Sequence, residues 1–204
     1  MTFDNAENYQ ICSRTVMDTS DPDISFDENS VSSHVLDFDK HVMPNWHPND
    51  IGEALLTNWV RRIKDEGKDQ EFDCILGLSG GLDSSFMLHE MVTKYELRPL
   101  VFHVDGGWNS EAAVHNINVL VDKLGLDLFT EVIDWEEMRD FQLAFFKAGV
   151  PHIDTPQDHA FIAVLYRYAK SFKIRTILNG GNIASECVKT PLRYFYWGTD
   201  LRQI

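Results

Sequence analysis

The chain has 204 residues, of which 32 are acidic and 18 basic, leaving a formal net charge of −14. A hydrophobic fraction of 44% supplies enough core to exclude disorder of the whole chain. The negative field repels phosphate backbones, which puts bulk nucleic-acid binding at a disadvantage and obliges any anionic ligand to be held by local donors.

Residues 1–48 are rich in Asp, Asn, Ser and Pro and lack a sustained helical period, so an irregular segment is expected, with one short hairpin around Ile24–Val31. From Asp50 the pattern tightens. Ile51, Leu55, Trp59 and Ile63 recur every four residues and predict a helix with that face inward, capped by Asn49 or Asp50 and ended by Gly67. The apolar run Phe72–Leu78 predicts a buried strand, and Phe86, Met87, Met91 and Tyr95 predict a helix after it. Pro99–Val104 reads as a strand running into Asp105-Gly106-Gly107. A helix follows over Ser110–Leu124, with Ala113, Ile117, Leu120, Val121 and Leu124 on one stripe.

Leu128–Ile133 is the next strand, and Asp134 with Glu137 forms a capping box that opens a helix through Phe145. Thr155-Pro156-Gln157-Asp158 offers a hydroxyl cap, a proline at the first helical position and an early acid. The helix behind it carries Phe161, Leu165, Tyr168 and Ala169, and Arg175–Asn179 closes the pattern as a strand. Strands alternating with helices predict an α/β fold: a three-layer, mainly parallel sheet with helices on both faces, in a domain spanning residues 49–204.

Ligands of such sheets bind at the carboxyl ends of the strands, where three loops fall: 79–85, 105–108 and 179–182. The first carries the chemistry. A strand runs into Ser79-Gly80-Gly81-Leu82-Asp83-Ser84-Ser85, and a helix starts at once. The glycines let the backbone approach a phosphate, helix-start amides offer donors, and the serines add hydroxyls. Asp83 would repel phosphate unless a Mg²⁺ ion bridges the two. A Ser-Gly-Gly string alone marks only a tight turn; the full S-G-G-x-D-S string between strand and helix is more specific. There is no Walker A lysine and no G-x-G-x-x-G fingerprint.

This string resembles the PP-loop, or N-type ATP pyrophosphatase, superfamily, whose fold is an adenine-nucleotide α-hydrolase-like, Rossmann-related sheet. The segments His103–Ile117, Asp127–Ala160 and Ile177–Glu186 are similar to the N-acetyl sugar amidotransferases of surface-polysaccharide and lipopolysaccharide biosynthesis, a resemblance running from about Tyr9 to Ile204. It implies that ATP is cleaved between its α and β phosphates to adenylate the N-acetyl group of a sugar or nucleotide sugar, with ammonia then displacing AMP. It implies ATP and Mg²⁺ as cofactors, with Leu78, Ser79, Gly80, Gly81, Asp83, Ser84 and Ser85 around the pyrophosphate. His103, Val104 and Asp105 would lie beside the adenosine, and Gly180, Gly181, Asn182 and Glu186 near nucleotide and substrate. Asp83 would carry the Mg²⁺. Asp158 matches the family's Gln-Asp-His-Ala string, as a catalytic carboxylate or simply a helix-capping one, and His159 reads as a satisfied, partly buried histidine. The resemblance further implies a separate glutaminase and an ammonia-channelling subunit as partners, and leaves room for a homo-oligomer.

The family begins with two Cys-x-x-Cys pairs that would form a zinc site; here the matching positions are Cys12, Thr15, Ser32 and Val35, so no zinc is expected. Cys12, Cys74 and Cys187 are widely spaced and suggest a reducing compartment. No apolar run is long enough to cross a bilayer and the first residues lack signal-peptide regions, so a cytoplasmic protein without membrane contact is expected. Family chains continue past the point equivalent to Ile204, so the domain is expected to be short at its C-terminal end. Two other readings stay open: a PP-loop enzyme acting in tRNA thiolation or small-acid amidation, and a non-catalytic nucleotide-binding subunit.

Overall fold

A computed structural model describes residues 9–150 and 153–181. Contacts group the described residues into two units, one up to Glu53 and one over Ala54–Gly181.

In the first unit, antiparallel bridges join Ile11 to Asp18 and Phe26 to Ser32, and the Asp27 amide donates to the Val31 carbonyl at 3.0 Å. The segment is less irregular than its composition implies. It contains helix α1 (Ser33–His41), started by Ser32, whose Oγ accepts from the Val35 amide at 3.4 Å, and a 3₁₀ turn over Met43–Asn45. The Ser32 amide donates to Cys12 Sγ at 3.3 Å, and both residues are buried.

The second unit is built on four parallel strands: β1 (Cys74–Gly77), β2 (Pro99–Asp105), β3 (Leu128–Val132) and β4 (Ile177–Leu178), in the order β3-β2-β1-β4. Around them lie α2 (Asp50–Gly67), which begins in the first unit, α3 (Leu82–Thr93), α4 (Glu111–Leu124), α5 (Trp135–Ala148) and α6 (Thr155–Ser171). Side-chain alternation gives the central strands β1 and β2 two buried faces. Leu76, Leu78 and Val101 pack with Leu88 of α3 and Ile117 and Val121 of α4. Ile75, Leu100, Phe102 and Val104 point the other way and pack with Val164 and Ala169 of α6. The sheet therefore forms the middle of three layers.

The right-handed crossover rule accounts for this arrangement. Two successive crossovers, through α3 and α4, step from β1 to β2 to β3 in one direction. The chain then returns to the far side of β1 to make β4, so α6 covers the opposite face. The direction reverses between β1 and β4, and the sheet's ligand crevice is expected at the carboxyl ends of that pair.

Two expectations are corrected by the packing. Of the four expected positions only Ile63 is buried; Ile51, Leu55 and Trp59 are exposed (60%, 48% and 56%), and Val60 and Gly67 join Ile63 inside. Thr155 is the first residue of α6 rather than its cap, fully buried, with Asp154 at the cap position and Pro156 behind it. The capping roles of Asn49 and Asp134 hold, with Asn49 Oδ1 accepting from the Ile51 amide and Asp134 Oδ1 from the Glu137 amide, both at 3.0 Å.

Candidate functional site

The loop between β1 and α3 sits at the reversal point. Gly80 has φ +76°, and a Cβ there would run into the Ala113 carbonyl of α4, so only glycine fits. Asn116 Nδ2 donates to the Gly80 carbonyl at 3.1 Å and pins the turn from the same helix. Gly81 differs. Its φ is −79°, open to any residue, and a Cβ there would meet only Ser79 Oγ, at 3.4 Å. The protein demands glycine at 80 but leaves open space over 81.

Ser79 and Ser84 close the loop on itself. The Ser79 amide donates to Ser84 Oγ at 3.3 Å, the two hydroxyls stand 3.0 Å apart, and the Gly81 amide donates to Ser79 Oγ at 3.3 Å. These serines shape the loop. Donors for an anion come from the start of α3, which has no side-chain cap. The amides of Leu82, Asp83 and Ser84 have no acceptor within the helix, because each would need a carbonyl preceding it. Gly180 packs on this turn; a Cβ there would lie 3.2 Å from the Ser84 nitrogen. The carboxyl ends of β1 and β4 thus meet at the helix start.

Beside the loop lies a cavity of about 380 Å³. Its apolar walls come from Phe102 and Val104 of β2, Phe161, Ile162 and Leu165 of α6, and Ile177 and Leu178 of β4. Its rim comprises Gly77, Leu78, Ser79, Trp108 and Gly180. His103 is fixed at both ring nitrogens: Nδ1 lies 2.8 Å from the Leu78 carbonyl and Nε2 2.9 Å from Asn109 Nδ2. Asp105 Oδ1 accepts from the Gly107 amide at 2.8 Å and shapes the next turn, while Trp108 Nε1 donates to Gln142 Oε1 at 2.8 Å with its ring edge-on to Trp135.

Of the residues singled out from sequence, Leu78, Ser79, His103, Val104 and Gly180 line the cavity. Gly80, Gly81, Asp83, Ser84 and Ser85 form the loop next to it, and Asp105 and Gly181 belong to the flanking turns. Asp158 sits in the first turn of α6, its amide donating to the Asp154 carbonyl at 3.0 Å, and is not among the lining residues; its neighbour Gln157 is. Asn182 and Glu186 lie outside the described residues. Trp108 belongs to the expected loop 105–108, whereas Phe102, Asn109, Gln157, Phe161 and Ile162 are lining residues that the sequence does not single out for the site. For Gln157 the available signal was phase, since each helical residue advances about 100° and faces a different neighbour from the next.

Unsatisfied polar atoms mark the same place. Among the described residues, the buried side-chain polar atoms without a hydrogen-bond partner are Ser85 Oγ and Gln157 Oε1, one in the loop helix and one lining the cavity. Such orphans are uncommon in folded proteins and call for an explanation such as an absent ligand. For a metal, the described residues contain no group of three or more His, Cys, Asp or Glu that could hold an ion. Asp83 is exposed at the helix start. Mg²⁺ commonly takes one or two carboxylates and completes its shell with water and substrate phosphate oxygens, so a lone Asp83 suits a phosphate-bound Mg²⁺ and no freestanding site.

Fold and loop together define an open parallel α/β domain of the Rossmann-like kind, with its crevice at the strand-order reversal. No family model matches the sequence, and no curated protein matches it. Solved structures do resemble it. The NH3-dependent NAD synthetase of Campylobacter jejuni is 17% identical with a TM-score of 0.45, over 63% of this chain and 56% of that one. The glutamine-dependent NAD+ synthetase of Acinetobacter baumannii, in complex with ADP, is 21% identical with a TM-score of 0.49, over 61% and 24%. The NMN synthetase of Francisella tularensis is 19% identical with a TM-score of 0.46, over 63% and 52%. The alignment thus spans about half the length of the first and third proteins and a quarter of the second. A likeness this distant carries no reaction or substrate over to this chain. No helix among the described residues is long and apolar enough to cross a membrane.

Proposed function

We propose that this domain binds ATP and splits it between the α and β phosphates, transferring AMP to an amide oxygen that ammonia then attacks. The observation that carries the reading is the Ser79–Ser85 loop. It has an uncapped helix start, open space over Gly81 and an adjoining cavity whose apolar walls suit a nucleoside.

The β and γ phosphates would lie against the Leu82, Asp83 and Ser84 amides, with Asp83 holding Mg²⁺, which neutralises phosphate charge when bound. The substrate amide oxygen attacks the α phosphorus as the bond to the bridging oxygen breaks, and pyrophosphate leaves. The resulting imidate ester is a stronger electrophile than the amide. Ammonia adds at its carbon, the bond to AMP breaks, and loss of a proton leaves an amidine. The first step needs positioning and charge neutralisation more than acid–base groups, which fits a site whose histidine is tied at both ring nitrogens.

The favoured acceptor is the N-acetyl group of a sugar or nucleotide sugar, and the ammonia source a separate glutaminase with a channelling subunit. Both follow from the resemblance of His103–Ile117, Asp127–Ala160 and Ile177–Glu186 to the sugar amidotransferases. The test incubates the protein with α-labelled ATP, Mg²⁺, ammonium and a panel of N-acetyl hexosamines and their nucleotide derivatives. Labelled AMP with pyrophosphate, formed only with an acceptor, is the expected result. ADP with inorganic phosphate would contradict the α–β cleavage. ATP binding without turnover would favour a nucleotide-binding subunit.

A further inference from the structure

We infer that Gln157 reads the purine base and makes the cavity selective for adenine. This deepens the ATP reading above and rests on it. Gln157 lines the cavity, its Oε1 is buried, and that oxygen has no hydrogen-bond partner.

The other polar side chains at the wall are committed elsewhere. His103 bonds to Asn109 and to the Leu78 carbonyl. Trp108 Nε1 bonds Gln142, Asn179 Oδ1 accepts from the Gly181 amide, and Ser79 Oγ is tied to Ser84 and Gly81. A base entering the cavity therefore meets a buried acceptor without a partner, the carboxamide oxygen of Gln157.

A carboxamide complements adenine, because its oxygen accepts from the exocyclic amine while its nitrogen donates to the adjacent ring nitrogen. Where that ring nitrogen is N7, hypoxanthine and guanine present two adjacent acceptors, O6 and N7, so either orientation of the carboxamide leaves its oxygen unpaired. The backbone is shaped for this amide. Gly106 also lines the cavity, and a Cβ there would lie 2.9 Å from Gln157 Oε1 and 3.2 Å from its Cδ, so a larger residue would push the carboxamide aside.

The test is calorimetry with Mg²⁺ and three probes, ATP, ITP and inorganic tripolyphosphate, on the wild type, Gln157→Leu and Gly106→Ala, with circular dichroism checking each fold. The wild type is expected to prefer ATP over ITP by roughly tenfold or more. Gln157→Leu should bring ATP to the ITP level with tripolyphosphate binding unchanged, and Gly106→Ala, which shifts only the end of a flexible side chain, should narrow the preference in the same direction. A wild type indifferent to the base, or a preference that survives both substitutions, overturns the role of Gln157 while leaving ATP binding intact. Failure of the wild type to bind either ATP or tripolyphosphate removes the nucleotide reading and this inference together.

Discussion

At the scale of single residues, adjacent glycines in the loop have different reasons to be there. Gly80 is required by the chain itself, through its positive φ and the Ala113 carbonyl against its Cα. Gly81 meets neither demand. Replacing Gly80 by Ala should therefore destabilise the domain by about 2–3 kcal/mol, whereas Gly81→Ala should cost under about 1 kcal/mol, the loss of a tolerated cap residue. Chemical denaturation of the two variants checks this, and equal losses would mean that the two glycines serve the same purpose. The serines divide in a similar way. Ser79 and Ser84 are held in the loop's own hydrogen bonds, while Ser85 Oγ is buried and unpartnered. The sequence offers both helix-start amides and serine hydroxyls to an anion; in the structure Ser79 and Ser84 are engaged within the loop, which leaves the amides as its open donors.

At the scale of elements, two ionic ties hold strands of the sheet to their neighbours. Asp73, just before β1, has a side chain only 3% exposed. It accepts from the Arg98 amide at 2.9 Å and from Arg98 Nη2 at 2.5 Å, while the same guanidinium reaches the Gly67 and Gln70 carbonyls after α2 at 2.9 and 3.0 Å. One residue pair thus joins α2, β1 and β2. Asp73→Ala should cost about 2 kcal/mol, since Arg98 is half exposed and keeps its water while the buried acceptor is lost. An unchanged denaturation midpoint would contradict this.

On the other side, Glu131 of β3 accepts from Arg167 at 2.6 Å and from the Tyr168 hydroxyl at 3.2 Å, holding β3 to α6. The hydrogen bond from Arg167 holds its carboxyl below the ordinary glutamate value, with Tyr168 adding to the effect against some burial. A depressed carboxyl stabilises the folded state above its unfolded value, near 4.3, and that contribution is lost as pH falls through the folded value. The Tm difference between wild type and Glu131→Gln should be present at neutral pH and shrink below about pH 4. A difference independent of pH would sink this account.

The elements also mark how far the sequence could be read. Strands and the phosphate loop were legible because their signals are local: an apolar run, a Gly-Gly pair, a cap. The inward face of α2 was not. A four-residue spacing advances 400° and drifts round the helix by about 40° per step, so Ile51, Leu55 and Trp59 slide into solvent. The packed set Val60, Ile63 and Gly67 keeps the three-and-four alternation instead. Helix α1 was hidden because its nine residues have a single fully buried apolar side chain, Val35, and depend on the Ser32 cap rather than on a stripe. The cavity's lining was illegible for a different reason. Phe102, Gln157, Phe161 and Ile177 converge only once β4 is placed beside β1, which is a property of topology and not of any window of sequence.

For the whole molecule, a net charge of −14 and an anionic ligand are compatible only if local donors outweigh the global field. Strand order supplies the means. The reversal between β1 and β4 brings Gly180 onto the first turn of α3, points the open helix start out of the sheet's carboxyl edge, and sets the apolar cavity beside it. Everything proposed about reaction and base selectivity depends on that helix start receiving a triphosphate. The direct measurement is titration calorimetry with ATP and Mg²⁺ on the wild type and on Gly81→Val, whose branch would fill the space over the amides. The wild type should bind, and the variant should lose binding by at least tenfold while keeping most of its thermal stability. Equal affinity in both proteins would contradict the assignment of this loop to phosphate.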